Sequence, residues 1–91
     1  MREGRVGLSR HALEKLSDRT SKRLGITPQR IEAVLNRPTC IDNGDFPILM
    51  AVGPLTKTLS LCVVYRFVEG DVRVITFFPA QRGRYEGKIL S

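Results

Sequence analysis

The chain has few of the residues that metal centres, redox sites and nucleotide sites require. Its 91 residues include one histidine and two cysteines, and the cysteines form neither a CxxC pair nor a zinc-ligand spacing. It also has no GxGxxG, P-loop or paired-carboxylate motif. The usual signals of metallohydrolases, dithiol enzymes and nucleotide-dependent enzymes are therefore missing, and we expect no metal site and no cofactor.

Long apolar runs are missing as well. No segment approaches the ~20 consecutive apolar residues of a membrane span, and the N-terminus MREGRVGLSR carries charges at short intervals instead of an apolar signal segment. We therefore expect a cytoplasmic protein that does not associate with membranes. Cys40 and Cys62 lie in strand-like segments, where we expect buried thiols; a bond between them stays open if their strands adjoin.

Carboxylates are scarce relative to cations. Nine aspartates and glutamates face 15 lysines and arginines, which gives a formal net charge of +6 and a pI near 10.0. A positive field of this kind attracts phosphate-rich partners and speeds their encounter. The charge favours a nucleic acid over an acidic protein as partner, and a basic protein with no polyanionic partner is the alternative.

Two helices are predicted in the first half of the chain. Ser9 is a suitable N-cap for a helix over about Arg10–Arg23, and Gly25 is suited to end it in the left-handed conformation. A second helix follows from the Thr-Pro pair at 27–28 to about Asn36, where proline occupies the first helical position. The two helices are expected to pack as a hairpin.

From Thr39 onward the sequence is typical of strands. The segments TCIDN, FPILMAVG, TKTLSLCVVYRFV and DVRVITFFPA are rich in β-branched and aromatic residues and are separated by turn formers. We therefore predict one α+β domain over residues 1–91, with the helical hairpin packed on an antiparallel meander of three or four strands. Residues 1–8 are expected to form an N-terminal arm, and residues 80–91 a basic C-terminal tail.

Several polar side chains stand out against this pattern. His11, Lys15 and Arg19 are four residues apart, so a continuous helix would place them on one face. Arg66 ends the polar face of the long strand, and Thr76 interrupts an apolar run in the last strand. These five residues are candidates for a site. A core threonine bonded to a backbone carbonyl is an equal alternative for Thr76, and a half-buried histidine bonded to the backbone carbonyl of a neighbouring loop is the main alternative for His11.

The order of short motifs resembles a known group. S-x-H-A at the start, GIT before a short helix, Asn-Arg-Pro after it and ITFFPA-x-R-x-R-Y at the end are similar to an uncharacterised family of small domains. That family is assigned to the RelE/ParE-like (BrnT-like) toxin superfamily, and the resemblance covers about residues 7–86. It implies a RelE/ParE-like fold, in a superfamily that includes messenger-RNA endonucleases, gyrase poisons and domains without demonstrated activity.

The resemblance also implies roles for individual residues. His11 falls on the family's helix histidine, Lys15 and Arg19 on the basic positions that follow it, and Thr76 on the threonine of the closing strand. Tyr85 resembles the tail tyrosine that active superfamily toxins set beside an arginine. The family passes from the second basic position directly to Gly-Ile, whereas this chain inserts TSKRL after Arg19.

The insertion leaves one assignment open and adds charge. Either Arg19 or Arg23 takes the family's second basic place, and Lys22 extends the basic surface. A solvated helix face, partly neutralised by Glu14 and Asp18, is the alternative interpretation of this cluster.

Metal-independent RNA cleavage requires a base for the 2′-hydroxyl, donors to the charged phosphorane and an acid for the leaving oxygen. Histidine titrates near neutral pH and suits the first or last role, while arginine suits the second. With a single histidine, the remaining acid has to be Tyr85, a lysine or a glutamate such as Glu14. The predicted catalytic residues are His11, Arg19, Arg66, Thr76, Arg84 and Tyr85, and the predicted RNA-binding residues are Lys15, Lys22, Arg23 and Arg82.

Two functions remain open at this point. The first is a RelE/ParE-like toxin that acts as an RNA endonuclease, with RNA as substrate and an antitoxin as partner. The second is a catalytically inactive module that binds a nucleic acid, an antitoxin or a second copy of itself in a homodimer. The shortage of acid–base side chains counts against an efficient nuclease.

Overall fold

The computed structural model describes residues 5–84, which form three helices and a five-stranded sheet. The elements in chain order are β1 Val6–Leu8, α1 Arg10–Leu16, α2 Arg19–Leu24, α3 Pro28–Asn36, β2 Cys40–Asp42, β3 Leu49–Pro54, β4 Leu59–Val68 and β5 Asp71–Gln81. The predicted α+β class is confirmed. No helix in residues 5–84 is long and apolar enough to span a membrane.

The sheet has the strand order β1-β5-β4-β3-β2. Strands β2 to β5 pair antiparallel in chain order, and β1 lies parallel to β5 at the edge. Residues predicted as an N-terminal arm therefore include a strand, because the Val72 amide donates to the Arg5 carbonyl and the Ser9 amide donates to that of Val74. Strand β5 also continues to Gln81, into the segment predicted as a tail.

The single helix predicted over residues 10–23 is wrong. The chain forms α1 and α2, which are separated at Ser17 and Asp18. The Asp18 carboxylate accepts a hydrogen bond from the Ser21 amide at 2.7 Å, and the Ser21 hydroxyl donates to the Lys15 carbonyl at 2.8 Å. Short polar side chains thus form hydrogen bonds with backbone groups at the break, and Asp18 caps the new helix.

The other helix boundaries agree with the predicted signals. Gly25 ends α2 with a φ of 70°, in the left-handed region that favours glycine. Thr27 caps α3 by accepting from the Arg30 amide, and Pro28 opens the helix. Helix α3 then packs on the sheet through Val34, whose methyl lies 3.0 Å from where a Cβ on Gly53 would be.

The sheet has two different faces. One is covered by the helices and holds the main core, where Leu61, Val63 and Tyr65 of β4 meet Ala12 of α1 and Ile31 of α3. This side is called the helix face. The opposite side, called the second face, carries a smaller apolar cluster that includes no described helical residue; its members are Cys40, Val52 and Cys62, flanked by Met50, Phe78 and Ala80.

The two cysteines lie on either side of Val52 in the second face. Cys40 pairs with Val52 across β2–β3, and Val52 pairs with Cys62 across β3–β4. Two strand spacings put their Cα atoms roughly 9–10 Å apart, beyond the ~7 Å limit for a disulfide. Both thiols are buried and no disulfide forms.

Candidate functional site

Lys15 and Thr76 are the two predicted site residues that the structure brings together. The Lys15 ammonium lies 3.4 Å from the Thr76 hydroxyl oxygen and also donates to the Phe77 carbonyl. It sits 5.3 Å from the centroid of the Phe77 ring, a cation–π arrangement. Lys15 is half-buried, so a side chain predicted for RNA contact is engaged with the protein's own sheet.

Lys15 is engaged in this way because β5 has an open edge. Strand β1 pairs with β5 only over Val72–Val74. Beyond that point the outward carbonyls need other donors. The Ser9 hydroxyl donates to Ile75 at 2.7 Å, and Lys15 donates to Phe77. The Arg82 amide donates to the Thr58 carbonyl, so the backbone groups of Arg82 face β4. Backbone groups alternate in direction along a strand, and those of Phe77 and Pro79 therefore face away from β4, toward the open edge. Pro79 has no amide hydrogen to satisfy, so it suits an edge.

His11 occupies the first turn of α1, one turn before Lys15. It is exposed, and it has no hydrogen-bond partner among residues 5–84. No hydrogen bond joins it to Thr76 or Arg66. The imidazole is therefore accessible to a ligand, but the described part of the chain supplies it with no acid, base or orienting carboxylate.

Arg66 projects from β4 on the second face, since it alternates with the buried Tyr65 of the helix face. Helix α1 packs on the helix face through Ala12. The helix that carries His11 thus lies on the helix face, whereas the Arg66 side chain lies on the second face. The structure does not bring these two predicted catalytic residues together.

A residue that sequence reasoning missed lies directly opposite Arg66. Arg73 of β5 pairs with it across β4–β5, and both side chains are exposed. The signal was present in the sequence, because Glu69–Gly70 forms a two-residue turn with φ of 52° and 87°. Such a turn pairs Val68 with Asp71 and so fixes the register that puts the two arginines side by side.

A bulge adds Thr76 to the same side of the sheet. Tyr65 pairs with Val74, and Val64 pairs with Thr76, so Ile75 is an extra residue in β5. Sequence alternation predicts that Val74 and Thr76 share a face. The bulge changes this: Val74 is buried in the core with Phe77, while Thr76 falls on the second face with Arg66.

Helix α2 carries the remaining cations of the predicted basic surface. Arg19, Lys22 and Arg23 are exposed within six residues, and none has an ion-pair partner in the described part of the chain. Because α2 is a separate helix, neither Arg19 nor Arg23 continues the row of α1. We call these three residues the α2 cations.

The acidic neighbours of this surface are already engaged. Asp18 caps α2, and the hydrogen bond from the Ser21 amide holds the pKa of its carboxyl below the ordinary value. Glu14 faces Arg10 at 3.6 Å, an exposed pair four residues apart on α1. The glutamate named as an alternative acid thus lies at the surface beside an arginine.

The predicted tail residues are only partly described. Arg82 and Arg84 are exposed in the turn that follows β5, where the Arg84 amide donates to Gln81. Tyr85 lies outside the described residues. Within residues 5–84 no group of three or more His, Cys, Asp or Glu side chains is arranged to hold a metal ion.

Comparison with known proteins adds no relative. The chain matches no protein-family model, no curated protein and no solved structure. The chemistry of its own residues therefore carries the functional argument.

Proposed function

We propose that this chain is a RelE/ParE-like toxin-type domain that binds RNA through a basic surface, without cleaving it. The observation that carries the proposal is the α2 cations, Arg19, Lys22 and Arg23, which are exposed and have no carboxylate partner among residues 5–84. A net charge of +6 accompanies them. A surface of this kind attracts a polyanion over a distance and binds its phosphates by direct contact.

The side chains of the α2 cations are suited to binding phosphate groups. Arginine offers a planar fork of donors to phosphate oxygens, and lysine offers a mobile point charge. A single strand of RNA presents phosphates at close intervals, so three neighbouring cations can each displace a condensed counterion. The binding is then expected to weaken steeply with added salt.

Binding without cleavage is supported by the position of the acid–base candidates. His11 stands alone at the surface, and Lys15 donates to the edge of β5. Arg66 projects from the other side of the sheet. A nuclease needs these groups around one phosphate, within hydrogen-bond distance of the reacting atoms.

The experiment measures binding of a fluorescently labelled single-stranded RNA as a function of salt. The triple variant R19Q/K22Q/R23Q is compared with R30Q/R37Q/K57Q, which removes the same charge from exposed positions on other elements. Loss of three phosphate contacts is expected to lower the slope of log K against log salt by about 2, at ~0.7 per contact, between ~50 and ~200 mM salt. The control triple is expected to keep most of the wild-type slope. Equal losses in the two triples, or no RNA binding by the wild type, would overturn the proposal.

An RNA endonuclease is the second candidate, and the exposed His11 favours it, since an imidazole can serve as base or acid at neutral pH. His11 lies on α1, one turn before Lys15. The test incubates purified protein with RNA in the presence of a metal chelator and compares wild type with His11→Ala. Cleavage that disappears in the variant supports the nuclease; intact RNA with both proteins removes it.

A further inference from the structure

Arg66 and Arg73 form the one directly opposed pair of like charges in the described β4–β5 ladder. Opposed residues of an antiparallel pair have Cβ atoms about 4.5–5.5 Å apart, and like charges at this separation destabilise a sheet. Neither arginine has an ion-pair partner in residues 5–84. Within residues 5–84 the fold therefore carries a local repulsion between the two arginines that no ion pair neutralises.

The neighbouring carboxylates do not neutralise the pair. Asp71 lies two residues before Arg73 on the same side of β5, but its Oδ1 accepts a hydrogen bond from the Arg5 amide at 3.0 Å. Glu69 is in the turn and makes no ion pair with either arginine. Both acids keep their charge close by, so a ligand has to approach the arginines from the side away from the turn.

Space beside the arginines comes from a glycine. Gly7 of β1 pairs with Arg73, so Gly7, Arg73 and Arg66 form one row across three strands. A Cβ on Gly7 would meet nothing nearer than the Val72 carbonyl at 4.0 Å.

We infer that Arg66 and Arg73 together bind one phosphate group, and that in the RNA complex this is a phosphodiester of the backbone. The inference rests on the proposed RNA binding for the source of the phosphate. A phosphate between two guanidinium groups accepts charge-assisted hydrogen bonds from both and screens them from each other. The repulsion that the unbound protein bears is relieved on binding, so the pair is organised for an anion before it arrives.

This site is distinct from the α2 cations and gives Arg73 a role that the sequence motifs did not. The next row of the second face holds Thr76, whose hydroxyl is close to Lys15. Rows two residues apart are about 6.6 Å apart along a strand. The anion-binding row thus adjoins the polar contact at the β5 edge.

The experiment uses the full chain and the variants R66Q, R73Q and R66Q/R73Q. The matched control is R30Q/R37Q, which removes two exposed charges from α3 and the residue that follows it. Each single variant is expected to lose about tenfold in RNA affinity, and the double little more, because one phosphate needs both donors. The control is expected to lose much less.

A second measurement identifies the phosphate independently of RNA. Inorganic phosphate, added at constant ionic strength, is expected to raise the unfolding temperature of the wild type and of R30Q/R37Q, but not of R66Q/R73Q. Equal protection of all three proteins would overturn the inference, as would wild-type RNA affinity in R66Q/R73Q.

The two proposals fail in different ways. If R19Q/K22Q/R23Q loses RNA binding while R66Q/R73Q binds RNA like the wild type and gains the same phosphate protection, RNA binding stands and the arginine pair is wrong. If the wild type binds no RNA but phosphate protects it and not R66Q/R73Q, the phosphate site stands and its ligand is a free phosphate compound. If neither RNA nor phosphate acts on the wild type, both proposals are overturned.

Discussion

The two faces of the sheet use the same strands for different purposes. On the helix face, Leu61 and Val63 of β4 and Phe77 of β5 are fully enclosed by the helices. On the second face, the same strands bury Cys62 at one end and expose Arg66 and Arg73 at the other. One ladder of hydrogen bonds therefore supports both a core and a charged surface.

The difference shows where this small domain gains stability and where it is available to a ligand. Burial of apolar area on the helix face supplies the main favourable term in folding. The charged end of the second face adds the repulsion between the exposed Arg66 and Arg73. Substitutions on the helix face should thus mainly lower the free energy of unfolding, whereas substitutions at the charged end of the second face should mainly change ligand binding.

The largest expected effect comes from the helix face. Leu61→Ala and Phe77→Ala should each lower the free energy of unfolding by about 3–5 kcal/mol, because each leaves a cavity among closely packed side chains. Arg66→Ala should change it by less than about 0.5 kcal/mol, with a sign toward stabilisation as the repulsion with Arg73 is removed. Urea unfolding of the three variants measures this. A loss in Arg66→Ala as large as that in Leu61→Ala would refute the division between the faces.

A smaller effect is expected at the edge that joins the faces. Lys15→Met keeps the apolar stem but removes the donors to Phe77 and Thr76, so the free energy of unfolding should fall by about 1–2 kcal/mol. Arg19→Met removes one of the α2 cations and should leave stability within about 0.5 kcal/mol while it weakens RNA binding. Urea unfolding and RNA titration of the two variants distinguish a structural role from an RNA-binding role. The opposite pattern would make Lys15 a binding residue and Arg19 a structural one.

The smallest expected effect is a pH dependence at the start of α2. The pKa of Asp18 is lowered by the Ser21 amide, so the ionised carboxylate favours the folded state. This contribution is fully present above the ordinary value of 3.8 and is lost as the pH falls through the lower pKa of the folded protein. Asp18→Asn keeps an acceptor that does not titrate. The stability difference between wild type and Asp18→Asn should be constant near neutral pH and change in acid; a constant difference throughout would refute it.

The parts of the fold that the sequence predicts are those with local causes. The cap formed by Thr27 and Pro28 places α3 correctly, and Gly25 marks the end of α2. Alternation along β4 assigns Leu61 and Cys62 to opposite faces, as the register shows. In each case the determining residues lie within a few positions of the feature they determine.

The parts that were missed depend on contacts between distant residues or on one extra residue. Strand β1 is three residues long and takes its hydrogen bonds from β5, more than sixty residues away in the chain. The bulge at Ile75 reverses the alternation and moves Val74 into the core. The break before α2 did have a local signal, since Asp18 precedes Ser21 by the three residues typical of an N-cap.

For the site, the sequence predicts RNA contact for Lys15 and catalysis for Thr76, and the structure adds a contact between them that no sequence pattern indicated. Spacing alone could not show that the β5 edge beyond Val74 lacks a partner strand, and this lack is what engages the Lys15 ammonium. The pairing of Arg73 with Arg66 could have been predicted from the sequence, because the turn at Glu69–Gly70 sets the register of β4 and β5. A toxin-type activity stays a prediction until the RNA experiments are done.

The edge of β5 also bears on how the protein behaves at high concentration. An exposed strand edge is a template on which a second chain can add and begin a fibril. Here an incoming strand finds β1 and Ser9 along the first part of that edge, the Lys15 ammonium on the next carbonyl and a proline after it. Lys15, which the sequence predicts to contact RNA, thus occupies a carbonyl that an added strand would use, and its charge is expected to repel a second copy of the same edge.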